Sequence, residues 1–442
     1  MNLQLHNVRF IDLFCGIGGF HSALSQLGHE CIFACDVDEN AASVYEMNFG
    51  IPAHSDIREC KDLSDFDILC AGFPCQPFSK SGSQSGFKDE TRGTLFHEIM
   101  RIVKDSQPKI LFLENVPNLE SHDNGDTYEI IKKNIENEGY KLWSTILSPH
   151  KFGTPQIRKR LFMVAIKTEI CGEGSFEFPL ETNELTDVRD ILDDKKSIEK
   201  KYFLSEQEIE IFETWNYFIK NIPKNISPAS PTWSQDFARS YPLEGIHPIS
   251  NQKLISKKKL SEFLINEKTL PLRYRSEIIE QYPPYVSLSR TKLPEWKKKI
   301  IMNNRGLWTN ISTEIGEEWL EKVRGFKNTF QKFEWQVGNG RRDIWRHIIQ
   351  TRPSGIRVKK ANYIPALVAM AQIPIIGWQK RRMTPKECAR AQNFDVDGLK
   401  GRPFVLSPKD SVSYKQLGNS VDVKITSLIM TKIEEFIEGL NE

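Results

Sequence analysis

One cysteine of the chain stands where a thiol would be displayed rather than buried. The apolar run 67–71 is typical of a buried strand, and Pro74 and Pro77 then flank Cys75. Proline lacks the backbone N–H that a strand ladder needs, so the chain must leave the sheet here and present Cys75 at the strand's end. A free cysteine is more often a small buried hydrophobe, as Cys70 inside the run would be. Its surroundings make Cys75 a candidate nucleophile.

An acid and two arginines could assist such a thiol. Glu114 follows the apolar run 109–113 and so stands at the carboxyl end of a predicted strand. Arg158 and Arg160 come directly before another apolar run, 161–166. Side chains two apart on an extended segment point the same way, which predicts that both guanidinium groups share one side. A solvated strand face would show the same pattern, so the pair alone does not define a site.

These groups need a scaffold, and the first part of the chain supplies a strand-turn-helix rhythm. Residues 10–14 predict a strand, 15–19 a glycine turn and 20–27 a helix. The turn lacks the full G-x-G-x-x-G spacing and so does not by itself indicate a dinucleotide. A second predicted strand, 30–35, ends at Asp36, where a ribose hydroxyl would find an acceptor.

Strands continue to alternate with helical stretches further along. Helical spacing appears at 96–103 and 128–138, between the strand candidates. This alternation predicts an α/β fold with a doubly wound, mostly parallel sheet and ligands at the carboxyl ends of its strands. Near the end of the chain, 383–392 predicts a helix with a Thr N-cap, and 413–421 predicts a polar turn before a last amphipathic helix.

The composition is that of a globular protein with room for more than one domain. The 442 residues are 39% hydrophobic, enough for a substantial core and two or three domains. We find neither a charged leader followed by an apolar stretch nor a run of membrane length, and therefore expect a cytoplasmic protein. The eight cysteines form no C-x-x-C pair and no zinc-ligand spacing, which favours reduced thiols and no metal.

Charge is distributed unevenly along the chain. The net charge is +2, yet residues 1–180 hold 17 Lys and Arg against 25 Asp and Glu, and the remainder holds 43 against 33. A basic later part suits a polyanionic partner. Within it, segment 350–360 combines loop chemistry with arginine and threonine donors that can reach base edges and phosphates.

Several short motifs, in this order, resemble those of the DNA (cytosine-5) methyltransferases, in particular the bacterial single-chain modification enzymes. The resemblance covers about residues 8–170 and 380–430, and it is specific because independent motifs keep the family's order. The motifs are residues 10–20, Pro74-Cys75-Gln76, Glu114-Asn115-Val116, residues 156–160, residues 382–387 and Gly418-Asn419-Ser420. The resemblance implies the Rossmann-like fold of the methyltransferases that use S-adenosylmethionine.

The resemblance implies a catalytic group of Cys75, Glu114, Arg158 and Arg160. Cytosine carbon-5 is a poor nucleophile, so the Cys75 thiolate would add to carbon-6 and make carbon-5 reactive. Free thiols have a pKa of about 8.5, and the two arginines would favour the thiolate. Glu114, with its carboxyl group protonated, would bind ring nitrogen-3 while one arginine binds the carbonyl oxygen. The target base must be flipped out of the duplex to be reached.

The resemblance also implies that S-adenosyl-L-methionine is the methyl donor, with S-adenosyl-L-homocysteine as product. Asp36 would bind the ribose hydroxyls, and Asp56 with Ile57, at the next candidate strand end, would bind the adenine. The family often has Glu in place of Asp36 and an aromatic residue next, where this chain has Val37. The other expected cofactor residues are Phe14, Gly16 and Gly18 in the first motif and Asn419 and Ser420 in the last.

The resemblance divides the chain into three segments. Residues 1–180 would form the catalytic and cofactor-binding domain, 181–375 a smaller, irregular target-recognition domain, and 376–442 a segment that returns to complete the catalytic domain. The loop 76–94 would close over the DNA with Ser81 at its tip. The other expected DNA contacts are Thr351, Arg352 and Arg357.

The leading hypothesis is a sequence-specific cytosine-5 methyltransferase of duplex DNA that acts as a monomer and protects host DNA from a cognate restriction endonuclease. A transfer-RNA cytosine-5 methyltransferase would share the catalytic motifs, but the long insert argues against it. A catalytically inactive DNA-binding homologue would have no need of Cys75, Glu114 and the arginine pair. An NAD-type oxidoreductase would share the fold and leave the cysteine motif and the basic insert unexplained.

Overall fold

The computed structural model of the chain describes residues 7–74, 95–240, 243, 283, 293–367 and 372–441. The chain divides into two compact units. The first unit comprises Met1–Ile198, Asn362–Ile373 and Met383–Glu442, and the second comprises Glu199–Ala361 and Pro374–Arg382. The sequence-based boundaries at 180 and 375, with the roles attached to them, stay predictions.

The first unit is built on a six-stranded sheet flanked by helices. The strands of the sheet lie in the order β2-β1-β3-β4-β7-β5. The strands are β1 (Arg9–Leu13), β2 (Glu30–Cys35), β3 (Ile68–Gly72), β4 (Ile110–Asn115), β5 (Tyr140–Leu147) and β7 (Arg160–Lys167), and β6 (Gln156–Ile157) pairs with β12 (Ile364–Pro365) outside the sheet. The helices are α1 (Gly19–Ser25), α2 (Glu39–Phe49), α3 (Leu95–Ser106), α4 (Asn118–Ser121), α5 (Asp126–Asn137), α6 (Thr168–Cys171), α10 (Pro385–Arg390), α11 (Asp410–Asn419) and α12 (Val423–Asn441).

The strand directions confirm a mostly parallel α/β sheet. Strands β2, β1, β3 and β4 are parallel neighbours, whereas β7 runs antiparallel to both β4 and β5. Strands β3 and β4 are almost continuously apolar because helices cover both faces of the sheet there. The carboxyl ends of β1, β3 and β4 therefore share one edge, where the predicted chemistry is concentrated.

Two local predictions of secondary structure are wrong, and the prediction of one helix is confirmed. Asp56 does not end a strand: its carboxylate accepts the backbone N–H of Arg58 at 3.0 Å, which favours a turn over a ladder. Residues 413–421 were predicted as a polar turn, but most of them belong to helix α11, because Tyr414 and Leu417 are buried on one face of a helical repeat. Helix α10 is confirmed with its capping box, in which Thr384 and Glu387 bond each other's backbone N–H.

The second unit is more regular than its sequence suggested. Its strands are β8 (Thr232–Trp233), β9 (Lys332–Gln336), β10 (Ile348–Arg352), β11 (Gly355–Lys359), β13 (Ile375–Ile376) and β14 (Arg381–Arg382), in the order β14-β13-β10-β11-β9-β8, and its helices are α7 (Glu206–Asn221), α8 (Glu295–Ile315) and α9 (Glu317–Arg324). An aromatic core joins helices to sheet: the Trp215 ring stacks on Phe333 with centroids 4.8 Å apart and meets Trp319 edge-on. Burial of these large rings orders a segment whose sequence shows little periodicity.

Candidate active site

The catalytic acid predicted from the sequence lies beside the strand that leads to the cysteine. Glu114 is the fifth residue of β4 and pairs in register with Gly72, the last residue of β3. A Cβ on Gly72 would stand only 3.7 Å from a Glu114 carboxylate oxygen, so the side chain lies over the end of β3. Cys75 itself lies outside the described residues, as do Ser81 and the loop 76–94.

Glu114 is buried and paired with one arginine. Its Oε1 lies 2.9 Å from Nε of Arg160, and both side chains are largely covered. Burial raises the pKa of Glu114, and the charges of Arg160 and Arg158 oppose that rise without cancelling it. The protonated form, which can donate a hydrogen bond, is thus more accessible than for a carboxyl group in water.

Arg158 does not share the position of Arg160, contrary to the prediction from strand alternation. Its guanidinium group is fully buried and donates to the backbone carbonyls of Leu367 at 3.1 Å and Gly418 at 3.0 Å, and to that of Ser420. Burial, and then the charge of Arg160, lowers its pKa to about 9. The alternation fails because strand β6 ends before Arg158 and β7 begins after it. This geometry gives no support to direct contact between Arg158 and a substrate base.

Asn115 is a neighbouring residue to which the sequence analysis gave no role. Its Nδ2 donates to the carbonyl oxygen of Phe73 at 3.0 Å, and its Oδ1 accepts the backbone N–H of Val116 at 2.8 Å. The side chain is buried, so these bonds are protected from water. Asn115 therefore ties the end of β4 to the backbone two residues before Cys75. The amide next to the acid was visible in the sequence, but its partner was not.

The glycine turn has the geometry of a ligand cradle. Phe14, Gly16 and Gly18 all have positive φ, of 54°, 55° and 85°. Such a φ is strained for phenylalanine, and strained residues of this kind concentrate at functional sites. A Cβ on Gly16 would meet nothing within 4 Å among the described residues, which leaves open space beside the backbone. The turn therefore leaves room for a ligand beside its backbone.

Asp36 links the end of β2 to this turn. Its two carboxylate oxygens accept the backbone N–H groups of Gly16 at 2.9 Å and Asp38 at 2.8 Å. Burial raises its pKa, while these two hydrogen bonds lower it. Each oxygen can accept a further bond, so the carboxylate is still able to bind a hydroxyl group. The next residue, Val37, is 66% exposed.

The other predicted cofactor residues are in different settings. The carboxylate of Asp56 is bonded by Arg58, which lowers its pKa, and Ile57 is buried in the core with its carbonyl bonded by Arg101. Ser420 is buried next to the turn, since a Cβ on Gly19 would come within 3.2 Å of its Oγ. Asn419, the last residue of α11, is exposed. The structure thus brings Ser420 to the glycine turn from the far end of the chain.

The predicted DNA-contacting residues of the second unit lie in a tight hairpin. Strands β10 and β11 pair so that Arg352 faces Gly355 across the turn Pro353-Ser354. Arg352 and Arg357 both contact Glu334 on β9. Thr351 alternates with Arg352 and so points to the opposite face of the sheet.

Two kinds of feature are absent from the described residues, a metal-ligand cluster and a membrane-spanning helix. Within those ranges, no group of three or more His, Cys, Asp or Glu side chains is placed to hold a metal ion. Over the same part of the chain, no helix combines the length and the apolar character that crossing a membrane requires.

Comparison with known proteins is consistent across sequence and structure. The family model described as C-5 cytosine-specific DNA methylase matches residues 8–435. The type II methyltransferase M.AluI of Cellulosimicrobium cellulans is 31% identical over 483 residues, which cover 95% of this chain and 91% of that protein. The type II methyltransferase M.HhaI of Haemophilus parahaemolyticus is 43% identical over 215 residues, 47% of this chain and 65% of that protein.

A solved structure shares the fold. It is described as a putative DNA modification methyltransferase encoded within a prophage of E. coli, and it aligns with 99% of this chain and 100% of its own at a TM-score of 0.50 and 16% identity.

Proposed function

Because the chain belongs to the C-5 cytosine-specific DNA methylase family, we propose that it methylates cytosine at one specific site in duplex DNA through a covalent adduct on Cys75. The single observation that carries the mechanism is the buried pair of Glu114 and Arg160 at the end of β4, beside the strand that leads to Cys75. An acid kept available in its protonated form, with a fixed cation next to it, suits a heterocycle that must accept electron density.

The reaction would use these groups in order. The Cys75 thiolate forms a bond to carbon-6 of a flipped-out cytosine, and electron density moves toward carbon-5 and nitrogen-3. Glu114 donates a hydrogen bond to nitrogen-3 and transfers its proton there as the adduct forms, which neutralises the negative charge that develops on the ring. Arg160 orients Glu114 and has further N–H groups with which to bind the carbonyl oxygen of the base. After methyl transfer, loss of the carbon-5 proton lets the bond between sulfur and carbon-6 break, which frees Cys75.

S-adenosyl-L-methionine would supply the methyl group and leave as S-adenosyl-L-homocysteine. The residues present suit such a ligand: Gly16 leaves open space beside its backbone, and the carboxylate of Asp36 has acceptor capacity for ribose hydroxyls. We assign Phe14, Gly18 and Ser420 to the walls of the same pocket. Asp56, Ile57 and Asn419 stay in the proposal on the family resemblance alone.

Arg158 has a supporting role in this proposal. By binding three carbonyl groups from distant segments it would hold Gly418 and Ser420 against the glycine turn, and thereby shape the cofactor pocket. Because its guanidinium group is taken up by these carbonyl groups, the proposal gives Arg158 no role at the thiolate.

The relatives also support a proposal about the biological setting. Type II methyltransferases such as M.AluI and M.HhaI resemble this chain, and we propose that it likewise modifies a short target sequence and protects the DNA from a cognate restriction endonuclease. It would act as a monomer, since one chain reads an asymmetric half of the site, and in the cytoplasm, where bacterial DNA lies.

Mapping methylated cytosines tests this proposal. The protein is expressed in cells that carry a plasmid and lack cytosine methylation, and the plasmid is then sequenced by a method that detects 5-methylcytosine at single bases. We expect one short motif to be methylated at almost every copy. Unmodified plasmid from a folded protein would contradict the proposal, and methylation of transfer RNA in the same cells would identify the RNA alternative.

A further inference from the structure

One face of the sheet in the second unit is polar where the other is core. In the register of β9 and β11, Glu334 faces Arg357, and Arg357 in turn faces Gln350 on β10. Side chains alternate along strands, so the neighbours of these residues point the other way. That other face consists of buried core residues: Phe333, Trp335, Ile349, Ile356 and Val358. The side that carries Glu334 is thus a distinct polar face, defined here by Glu334, Arg352, Arg357 and Lys359.

Glu334 lies between the two arginines that the sequence predicted to contact DNA. Its Oε2 accepts a hydrogen bond from Nε of Arg357 at 2.7 Å, and its Oε1 lies 3.3 Å from Nη2 of Arg352. Its side chain is only 13% exposed, whereas those of Arg352 and Arg357 are 21% and 20% exposed. One carboxylate therefore holds two guanidinium groups that originate on different strands.

The hairpin geometry makes this arrangement possible. Gly355 has a φ of 129°, and a Cβ there would come within 2.7 Å of the backbone and Cβ of Lys332 on β9. Only glycine lets β11 approach β9 at the turn, which brings Arg352 within reach of Glu334. Ser354 in the turn also accepts a bond from Nε of Arg352 at 3.2 Å. Two partners thus fix the direction of the Arg352 side chain.

Each guanidinium group keeps donors for another ligand. Glu334 and Ser354 engage the Nε and Nη2 groups of Arg352, and Glu334 engages both Nε and Nη2 of Arg357. Within the part of the chain that the structure describes, neither Nη1 group makes a hydrogen bond. The polar face also keeps a positive excess, because Lys359 lies close enough to Arg357 and Arg352 for their charges, after burial, to lower its pKa.

We propose that Glu334 is a positioning residue for target recognition, which holds Arg352 and Arg357 side by side so that their outer edges bind guanines in the major groove. The inference rests on the proposed function of the chain as a site-specific DNA methyltransferase. Arginine binds guanine O6 and N7 through two N–H groups, and this contact discriminates only when the fork is held at the right angle. The carboxylate of Glu334 supplies that orientation to both guanidinium groups, although its negative charge weakens their attraction to DNA phosphates.

Substitution of Glu334 separates orientation from charge. Glu334→Gln keeps the size of the side chain and removes the charge, and it replaces one of the two acceptor oxygens by an NH2 donor, so one of the two arginines loses its acceptor. The matched control is Glu210→Gln, which removes the same charge from an exposed pair with Lys322 in the same unit. Both variants are compared with wild type on duplexes that contain the mapped target or single-base changes of its guanines. The readouts are the single-turnover methylation rate on each duplex and the affinity for unrelated DNA.

We expect Glu334→Gln to lower the discrimination between target and altered duplexes without lowering the affinity for unrelated DNA. In Glu334→Gln the ratio of rates on target and altered duplexes falls about tenfold, the loss of one oriented bidentate contact. Affinity for unrelated DNA stays equal or rises, because a negative charge has been removed. Glu210→Gln leaves the ratio unchanged. A merely structural ion pair would lower all rates together and leave the ratio as it was.

Two outcomes would overturn the inference in different ways. An unchanged ratio in Glu334→Gln, beside a wild type that discriminates well, would overturn the role of Glu334 and leave the proposed function intact. A wild type that methylates no duplex would overturn the proposed function, and the inference with it.

Discussion

Nε of Arg160 lies 2.9 Å from Oε1 of Glu114, across the antiparallel strands β7 and β4. The contact gives the acid a fixed direction at the sheet edge from which β3 continues toward Cys75. Burial raises the pKa of Glu114 in spite of its cationic partner. One carboxyl group can therefore be both oriented by a cation and available as a proton donor, which is what addition to a cytosine ring requires.

Glu114→Gln tests that role. The amide keeps the shape of the side chain and cannot transfer a proton, so we expect single-turnover methylation to fall about 10²-fold to 10⁴-fold, the usual contribution of a positioned acid. DNA binding should be retained. The exposed Glu120→Gln on helix α4 is the control and should methylate like wild type.

The pH dependence of the same step provides an independent check. The protonated form of Glu114 is the active one, so the wild-type rate should fall as pH rises through the raised pKa of this group. The Glu114→Gln variant should not show this fall in rate. A wild-type rate that rises steadily with pH over the same range would show that thiolate formation, and not the acid, controls the step.

Arg158 and Arg160 should respond oppositely to the same conservative change. The lysine in Arg158→Lys cannot donate to all three carbonyl groups. We therefore expect the free energy of unfolding to drop by about 3 kcal/mol, a typical cost of losing buried hydrogen bonds to a charged donor. Arg160→Lys keeps a positive charge beside Glu114, so it should destabilise the protein much less than Arg158→Lys does, and it should reduce the methylation rate. Urea denaturation and single-turnover rates, measured on both variants, check this. Equal effects on both quantities would contradict the division of roles.

Asn115→Asp isolates one hydrogen bond. The carboxylate can still accept from the N–H of Val116, but it has no donor for the carbonyl of Phe73, so the backbone before Cys75 loses its anchor. We expect a lower methylation rate with unchanged KM for the methyl donor. A change confined to that KM would instead place the effect of Asn115 in the cofactor pocket.

Asp422 should make the stability of the protein depend on pH. Burial raises its pKa to about 6, although Ile425 and Asn393 donate hydrogen bonds to it. Because the folded pKa exceeds the unfolded one, the contribution to stability is present at low pH and is lost as pH rises through about 6. From pH 4.5 to 7.5 the wild type should lose about 2 kcal/mol more than Asp422→Asn. Parallel pH profiles of the two proteins, measured by urea denaturation, would refute this.

The sequence was most informative where chemistry depends on neighbouring residues in the chain. Glu114 at a strand end, Asp36 after β2 and the glycine turn could be predicted because each needs only an apolar run and the residues that follow it. The strands β1 to β4 could be predicted for the same reason, since fully buried strands are continuous apolar runs.

Contacts between distant segments explain what was missed. The interior position of Arg158 depends on carbonyl groups of Leu367, Gly418 and Ser420, which no local pattern brings together. The position of Glu334 between two arginines depends on the register of three strands, which the sequence does not reveal. In each case the partner is defined by the fold, and one sequence does not contain that information in a readable form.

The most direct test of the central claim is to trap the bond between Cys75 and the base. A duplex with 5-fluorocytosine at the mapped target position allows addition and methyl transfer, but the fluorine cannot leave as a proton does, so the adduct persists. We predict a complex of wild-type protein and DNA that survives denaturing electrophoresis, with the DNA attached to the peptide that contains Cys75, and no such complex for Cys75→Ser. An adduct on another residue, or normal methylation of unmodified DNA by Cys75→Ser, would contradict the account.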